Sequence, residues 1–160
     1  MSRAWTVALI ILLVAGAGLC QGRTDELRAR FNQETNPVRK AKLMRDLGEA
    51  EFKDIDRDIS TGKLSDAASG FERYRDEVRT SEKALDATGT NAEKHSSGFK
   101  QLEISLRESI RRLDVIIPTL TADQQTRFLA VRGDLNQISQ HLLQELFPHA
   151  PAEDAAGKSD

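Results

Sequence analysis

Apolar residues recur every three or four positions along most of this chain, the spacing that places them on one face of an α-helix. The clearest example is the stretch 99–147, in which two such stripes are separated by Pro118. The first stripe contains Phe99, Leu102, Leu106, Ile110, Leu113, Ile117 and Leu120, and the second contains Phe128, Val131, Leu135, Ile138, Leu142 and Leu146. Two amphipathic helices joined by a short connection can pack as an antiparallel hairpin.

The N-terminal half predicts a second hairpin. Asn36-Pro37 is a helix-start signal, an N-cap residue followed by proline at the first helical position, and Gly62 marks the end of that helix. The next helix is predicted to begin near Ser65, and the polar segment 86–98 is predicted to be a mobile loop between the hairpins. The two stripes are Ala41, Met44, Gly48, Phe52, Ile55 and Ile59, then Leu64, Ala67, Phe71, Tyr74, Val78 and Leu85.

Two single residues have predicted roles in this arrangement. Thr24 is predicted to cap a short helix whose apolar pair, Leu27 and Phe31, covers the bundle as a small lid. Tyr74 is the chain's one tyrosine, and we predict that it lies at the edge of the core with a hydrated hydroxyl. A role as a catalytic acid is the less favoured interpretation.

The predicted fold class is therefore all-α, an antiparallel helical bundle of two long helical hairpins plus a short N-terminal helix. The hairpins are expected at about 37–87 and 98–147, within one helical domain over 24–147. Two prolines, a glycine and small or charged residues predict a disordered tail over 148–160.

The first twenty residues are typical of a secretory signal peptide. Arg3 precedes an apolar run over 7–14, which is followed by small residues. Cleavage after Ala17 best fits the requirement for small residues at the cleavage site, and cleavage after Cys20 is the alternative. We therefore expect residues 1–20 to be a signal peptide and the folded domain to be secreted or periplasmic.

Two other interpretations of the N-terminus stay open. Leu19-Cys20 resembles the end of a bacterial lipobox, in which the cysteine is lipidated, although that pattern has a small residue where this chain has leucine. An uncleaved anchor over 4–20 is at the short limit for spanning a bilayer. Membrane contact is expected only through such an uncleaved or lipidated N-terminus. Because Cys20 is the one cysteine, the chain cannot form an internal disulfide.

The composition indicates the fold class and argues against one class of partner. Charged residues make up 30% of the chain and aromatic residues 5%, which favours a helical bundle over a sheet protein. The formal net charge is -2, so no overall positive field attracts nucleic acid, and we expect no nucleic-acid partner.

The sequence contains none of the common catalytic motifs, such as a metalloprotease helix, a phosphate loop or a nucleophile elbow. His141 and Glu145 are four residues apart and could share an ion, but two ligands alone make a poor site. His95 is predicted to be solvated. We therefore predict no catalytic residue, no cofactor and no metal site, and a protein that is not an enzyme.

Part of the first predicted hairpin resembles a tetratricopeptide repeat over residues 47–74. Gly62, Leu64, Ala67 and Phe71 have the spacing of the turn and second helix of that repeat, and Leu47-Gly48 resembles the pair in its first helix. The interval from Gly48 to Gly62 is longer than in the standard repeat, and no second copy follows at a fixed period. The resemblance implies a long helical hairpin with tetratricopeptide-like packing.

Leu120-Thr121-Ala-Asp-Gln124 is similar to the L-T-x-x-Q motif of the periplasmic Spy/CpxP family. That resemblance implies a small helical chaperone, or a stress or metal sensor. The same residues also fit a capping box, with Thr121 as N-cap and Gln124 as the third helical residue. Leu120, Thr121 and Gln124 are thus predicted to be either a partner surface or a capping motif.

The function that these observations favour is a non-enzymatic helical module that binds or scaffolds another protein. The alternative is a Spy/CpxP-like periplasmic chaperone or stress and metal sensor. A concave apolar surface in the fold would favour the chaperone, because unfolded clients expose apolar segments.

Overall fold

The computed structural model describes residues 22–149 of the chain, and within this range all regular secondary structure is helical. The predicted all-α fold is therefore confirmed. The α-helices are α1 (22–33), α2 (Pro37–Ser60), α3 (Leu64–Asp86), α4 (Ser97–Ile116) and α5 (Ala122–Leu146), with a 3-10 turn at Ile117–Thr119. The predicted signal peptide and residues 150–160 of the predicted tail lie outside the described residues.

Two helical hairpins pack against each other around one core. Helices α2 and α3 form the first hairpin, α4 and α5 form the second, and the hairpins meet through contacts of α2 with α4 and of α3 with α5. Phe71 links the two hairpins, since its ring centroid lies 5.9 Å from that of Phe52 on α2 and 5.9 Å from that of Phe128 on α5. The predicted stripes supply most of the buried apolar side chains.

The helix boundaries of the first hairpin follow the predicted signals. Asn36 caps α2, because its Oδ1 accepts a hydrogen bond from the N–H of Arg39 at 3.0 Å, and Pro37 is the first helical residue. Gly62 has φ +75°, the left-handed conformation that glycine adopts without strain at a helix end.

The segment predicted as an open loop is shorter and better packed than expected. The second hairpin begins at Ser97, so Gly98 lies in the first turn of α4. A Cβ built at Gly98 would lie 2.6 Å from a methyl carbon of Leu85, so a larger residue there would force the Leu85 side chain to shift. Ala92 is 1% exposed and joins the core. The prediction was wrong at these two positions because the packing comes from distant residues.

Helix α1 lies against the bundle through a buried apolar anchor, Phe31. Thr24 does not cap this helix, since residues 22–33 are already helical. Its side chain is buried, and the hydroxyl donates to Asp54 Oδ2 at 2.9 Å. The capping prediction for Thr24 was therefore wrong, because a tertiary partner on α2 holds the hydroxyl.

Candidate functional site

The motif residues Leu120, Thr121 and Gln124 lie where α5 begins. Thr121 is the N-cap, with extended backbone, and its N–H donates to Gln124 Oε1 at 3.0 Å. The Thr121 side chain faces the N–H of Gln124, which completes a capping box. Leu120 is half-buried against the core, whereas the other two residues are exposed. The cap accounts for their placement, and recognition of a partner by the motif stays a prediction.

Exposed residues of α5 on the side opposite its buried stripe carry no charge. The exposed charged residues of this helix, Asp123, Arg127 and Glu145, lie to one side of that face. We call this face the neutral stripe. It consists of Ala122, Thr126, Leu129, Ala130, Gly133, Gln137, Gln140 and Gln144.

Charged residues of α5 between 127 and 141 lie beside the neutral stripe and pair with the neighbouring helices. On the α3 side, Arg127 bonds Glu72 at 2.7 Å. On the α4 side, Arg132 bonds Asp114 at 2.5 Å. The same arrangement places Asp134 against Arg75 and Arg79, and His141 against Asp86. These charges are thus held by the bundle, and the neutral stripe between them is left to solvent.

The middle of the neutral stripe is small and open. Leu129 is its one large apolar side chain and is 47% exposed. A Cβ built at Gly133 would meet no atom within 4 Å, so packing among the described residues does not require glycine at this position. Glycine in a helix interior costs about 0.5–1 kcal/mol relative to alanine. A surface with small residues permits another backbone to approach closely.

Tyr74 lies deeper than the sequence predicted. It is 0% exposed, and its hydroxyl accepts a hydrogen bond from Ser109 Oγ at 2.7 Å and donates to the carbonyl oxygen of Ser105 at 3.3 Å. The prediction of a hydrated hydroxyl was wrong, because two serines on α4 replace water. Burial raises the pKa of Tyr74 well above its ordinary value, so this phenol stays protonated and serves as a link between α3 and α4.

His141 has two acidic neighbours that the sequence analysis did not bring to it. His141 Nε2 lies 3.3 Å from Asp86 Oδ2, and Glu82 is one turn earlier on α3. Ligand atoms of these three residues all lie within 4.8 Å of one another. Burial raises the pKa of the Glu82 carboxyl, which nearby His141 opposes. The i,i+4 spacing of Glu82 and Asp86 was visible in the sequence, but the approach of α5 was not.

The chain matches no protein-family model, no curated protein and no solved structure. The similarities to the tetratricopeptide repeat and to the Spy/CpxP family therefore stay resemblances of short motifs. Among the described residues, no helix is both long enough and apolar enough to cross a membrane.

Proposed function

We propose that this protein is a non-enzymatic helical module that binds another protein through the neutral stripe of α5. The observation that supports this proposal is the absence of charge from an exposed face about six turns long in a chain of which 30% is charged. Interface cores are depleted in charged residues, because a charge that leaves water must find a partner. A face without charge avoids that penalty.

The composition of the neutral stripe favours a partner that presents a helix or an extended backbone. Gln137, Gln140 and Gln144 each offer an amide with two donors and one acceptor oxygen, which suits peptide groups and other amides. Gly133 and Ala130 leave room for a backbone to approach between them and Leu129. The stripe offers no arginine or lysine for phosphate groups, so a nucleic acid is a poor fit.

We propose that binding takes place outside the cytoplasm, in a secreted or periplasmic setting. The support is the N-terminal pattern of Arg3, the apolar run and the small residues before Cys20. Intact-mass measurement of protein made in a secreting host tests the three N-terminal interpretations. Loss of residues 1–17 or 1–20 would support a cleaved signal, a diacylglycerol adduct on Cys20 would support lipidation, and an intact Met1 would support an anchor.

Differential capture tests the binding proposal. The full chain, a double variant with Gln137→Lys and Gln144→Lys, and a Glu49→Lys control would each be used to capture proteins from the native envelope. The double variant and the control change net charge by the same amount, but the control places its charge on the outward face of α2. We expect the same proteins with wild type and control, and at least a tenfold loss with the double variant. An unchanged protein set with the double variant would contradict the proposal.

Metal sensing is a second candidate function, and the Glu82–Asp86–His141 cluster favours it. Two carboxylates and one imidazole suit zinc or a similar divalent ion and would leave a coordination position open. Cobalt(II) titration, followed by visible absorption and calorimetry, tests this function. We expect one bound ion in wild type, none in His141→Ala, and unchanged binding in His95→Ala, a control at an exposed loop histidine. Equal binding by both variants would remove this candidate.

The chaperone alternative has less support from the described surface. Large exposed hydrophobic side chains among residues 22–149 number four: Ile104 and Val115 on α4, Leu129 on α5, and Phe147 just after α5. Holding an unfolded client by apolar contact needs a larger continuous patch. We therefore favour binding of a folded or helical partner over client holding.

A further inference from the structure

Arg28 extends from α1 into a buried site between α2 and α3. Its Nη2 lies 2.5 Å from Glu51 Oε1, and its Nε lies 3.1 Å from Glu77 Oε1. The side chains of Glu51 and Glu77 are only 3% and 10% exposed. Charges this deep are stable only when they are paired and hydrogen-bonded. One guanidinium thus joins all three helices.

The cluster holds one cation but two carboxyl groups. Glu51 Oε2 and Glu77 Oε2 are both buried, and neither has a hydrogen-bond partner when the two groups are treated as carboxylates. Both carboxyl groups contact the same guanidinium, so they lie close to each other. Two carboxylates cannot bond, because neither has a donor. A single proton on Glu77 would supply the donor and would also balance the charge of Arg28 with that of Glu51.

The other charged groups on these helices are either paired elsewhere or exposed to solvent. On α1, Asp25 is largely exposed and bonds the outer side of Arg28 at 3.2 Å. Carboxylates on the helices packed around the cluster have their own partners: Asp54 with Thr24 and Arg57, Glu103 with Arg107, and Asp134 with Arg75 and Arg79. On α3, Tyr74 stays protonated and Arg73 is exposed. The balance inside the cluster therefore depends on Arg28, Glu51 and Glu77.

We propose that the proton shared by Glu51 and Glu77 fastens α1 to the bundle, so that α1 detaches more readily as the solution changes from acidic to mildly alkaline. Detachment of α1 admits water to the pair, and this hydration lets Glu77 ionise although Arg28, which favours the ionised form, is lost. The protonated pair therefore favours the docked form of α1, and the doubly ionised pair favours the detached form.

The direction of the effect follows from the proton affinity of the docked form. Burial and the neighbouring Glu51 raise the pKa of Glu77 from an ordinary value of 4.5 to about 8, although Arg28 opposes the rise. The docked form thus binds the proton more tightly than the detached form. The stabilisation is complete below pH 4.5, declines as the pH rises toward about 8, and changes no further above that.

Hydrogen exchange of the full chain, measured by mass spectrometry, tests whether protonation of the pair controls the detachment of α1. Exchange of each α1 peptide would be divided by exchange of the same peptide in unfolded form at the same pH, which cancels the intrinsic effect of pH. With full linkage to Glu77, the opening equilibrium of α1 should rise by roughly tenfold per pH unit between about 5.5 and 7.5, then level off above about 8. A ratio that does not change with pH in wild type would overturn the proposal.

Two variants distinguish pH-dependent detachment of α1 through Glu77 from a general effect of pH on the protein. Glu77→Gln keeps the shape and a hydrogen-bond donor but cannot ionise, so its exchange ratio should be independent of pH. Glu72→Gln removes a carboxyl from the same helix at its contact with Arg127, and it should keep the wild-type pH dependence. A wild-type slope in Glu77→Gln would overturn the proposal.

Carbon-13 NMR of the Glu77 carboxyl gives a second readout that does not rely on a variant. The wild-type carboxyl should titrate with a midpoint near 8, well above its ordinary value of 4.5. A midpoint near that ordinary value would contradict the shared proton.

Discussion

Helices α2 and α5 each bury one stripe in the same core, but their outward faces differ in charge. Seven of the eight exposed residues of α2 are charged, namely Arg39, Lys42, Arg45, Asp46, Glu49, Lys53 and Asp56. Only three of the twelve exposed residues of α5 are charged, namely Asp123, Arg127 and Glu145, and the eight residues of the neutral stripe carry no charge. Both faces are polar enough to keep their helices in water, so solubility alone does not explain the contrast.

The difference lies in how each helix uses its charged residues. On α2, Lys53 pairs with Glu49 along the helix at 3.3 Å, with both side chains largely exposed. Such surface pairs contribute little stability and mainly keep a face hydrated. On α5, the charged residues pair across to α3 and α4 and hold the helix in place. The contrast shows that charged pairs on its flanks orient α5, and we propose that its uncharged outward face serves another contact.

The largest expected loss of stability comes from a residue that supports both α2 and α5. Phe71→Ala should destabilise the domain by about 3–5 kcal/mol, the usual cost of emptying a buried phenylalanine site. Phe71 is 0% exposed and touches Phe52 below the charged face and Phe128 below the neutral stripe. Urea unfolding measures the loss, and a change below about 1 kcal/mol would mean that the two hairpins do not share one core.

A smaller effect is expected where the neutral stripe begins. Thr121→Ala should cost about 0.5–2 kcal/mol by removing the side-chain arm of the capping box. Thr121→Asp should restore most of that loss, since aspartate caps and favours the positive end of the helix. Thermal unfolding of the three proteins measures both changes. No loss in Thr121→Ala would show that the cap is not needed to position α5.

The same variants test the chaperone alternative at Leu120–Gln124. If the motif only starts a helix, any ability to hold an unfolded client should follow stability alone. The chaperone hypothesis predicts that Thr121→Asp stays folded but no longer suppresses client aggregation. We expect that the wild type does not delay aggregation in a light-scattering assay. Suppression at near-stoichiometric amounts would contradict that expectation.

The smallest expected change in stability comes from replacing a glycine by alanine, and its sign differs between α5 and α2. Gly133→Ala should stabilise the protein by about 0.5–1 kcal/mol, because its Cβ meets open space and alanine favours the helix. Gly48→Ala on α2 should destabilise it, since a Cβ there would lie 2.8 Å from the Tyr74 ring. Differential scanning calorimetry measures both shifts. If partner binding weakens in Gly133→Ala while stability rises, the small residue serves the contact rather than the fold.

Local patterns in the sequence predicted most of the fold. The 3.6-residue repeat of apolar positions located the stripes of α2 to α5, and Asn36-Pro37, Gly62 and Thr121 marked where helices begin or end. These signals succeed because a helix start, a helix end and an amphipathic face depend on residues within a few positions of one another. The predicted hairpins follow directly from them.

The side-chain clusters could not be predicted in the same way. Tyr74 meets Ser109 35 residues later, and Asp86 meets His141 55 residues later. Such partners depend on which faces of distant helices meet, and local spacing does not determine that. The neutral stripe was partly readable, because the buried stripe of α5 fixes the opposite face. The sequence analysis followed apolar positions only, so it did not identify the neutral stripe, which is defined by the absence of charge.

Site-specific photo-crosslinking tests the central claim, that a partner docks on the neutral stripe of α5, most directly. A photo-crosslinking amino acid would replace Gln137 on the neutral stripe in one protein and Glu49 on the outward face of α2 in another, both expressed in the native host. We predict a discrete crosslinked protein product from position 137 and none from position 49. Crosslinking to the same product from both positions, or from position 49 alone, would contradict the account.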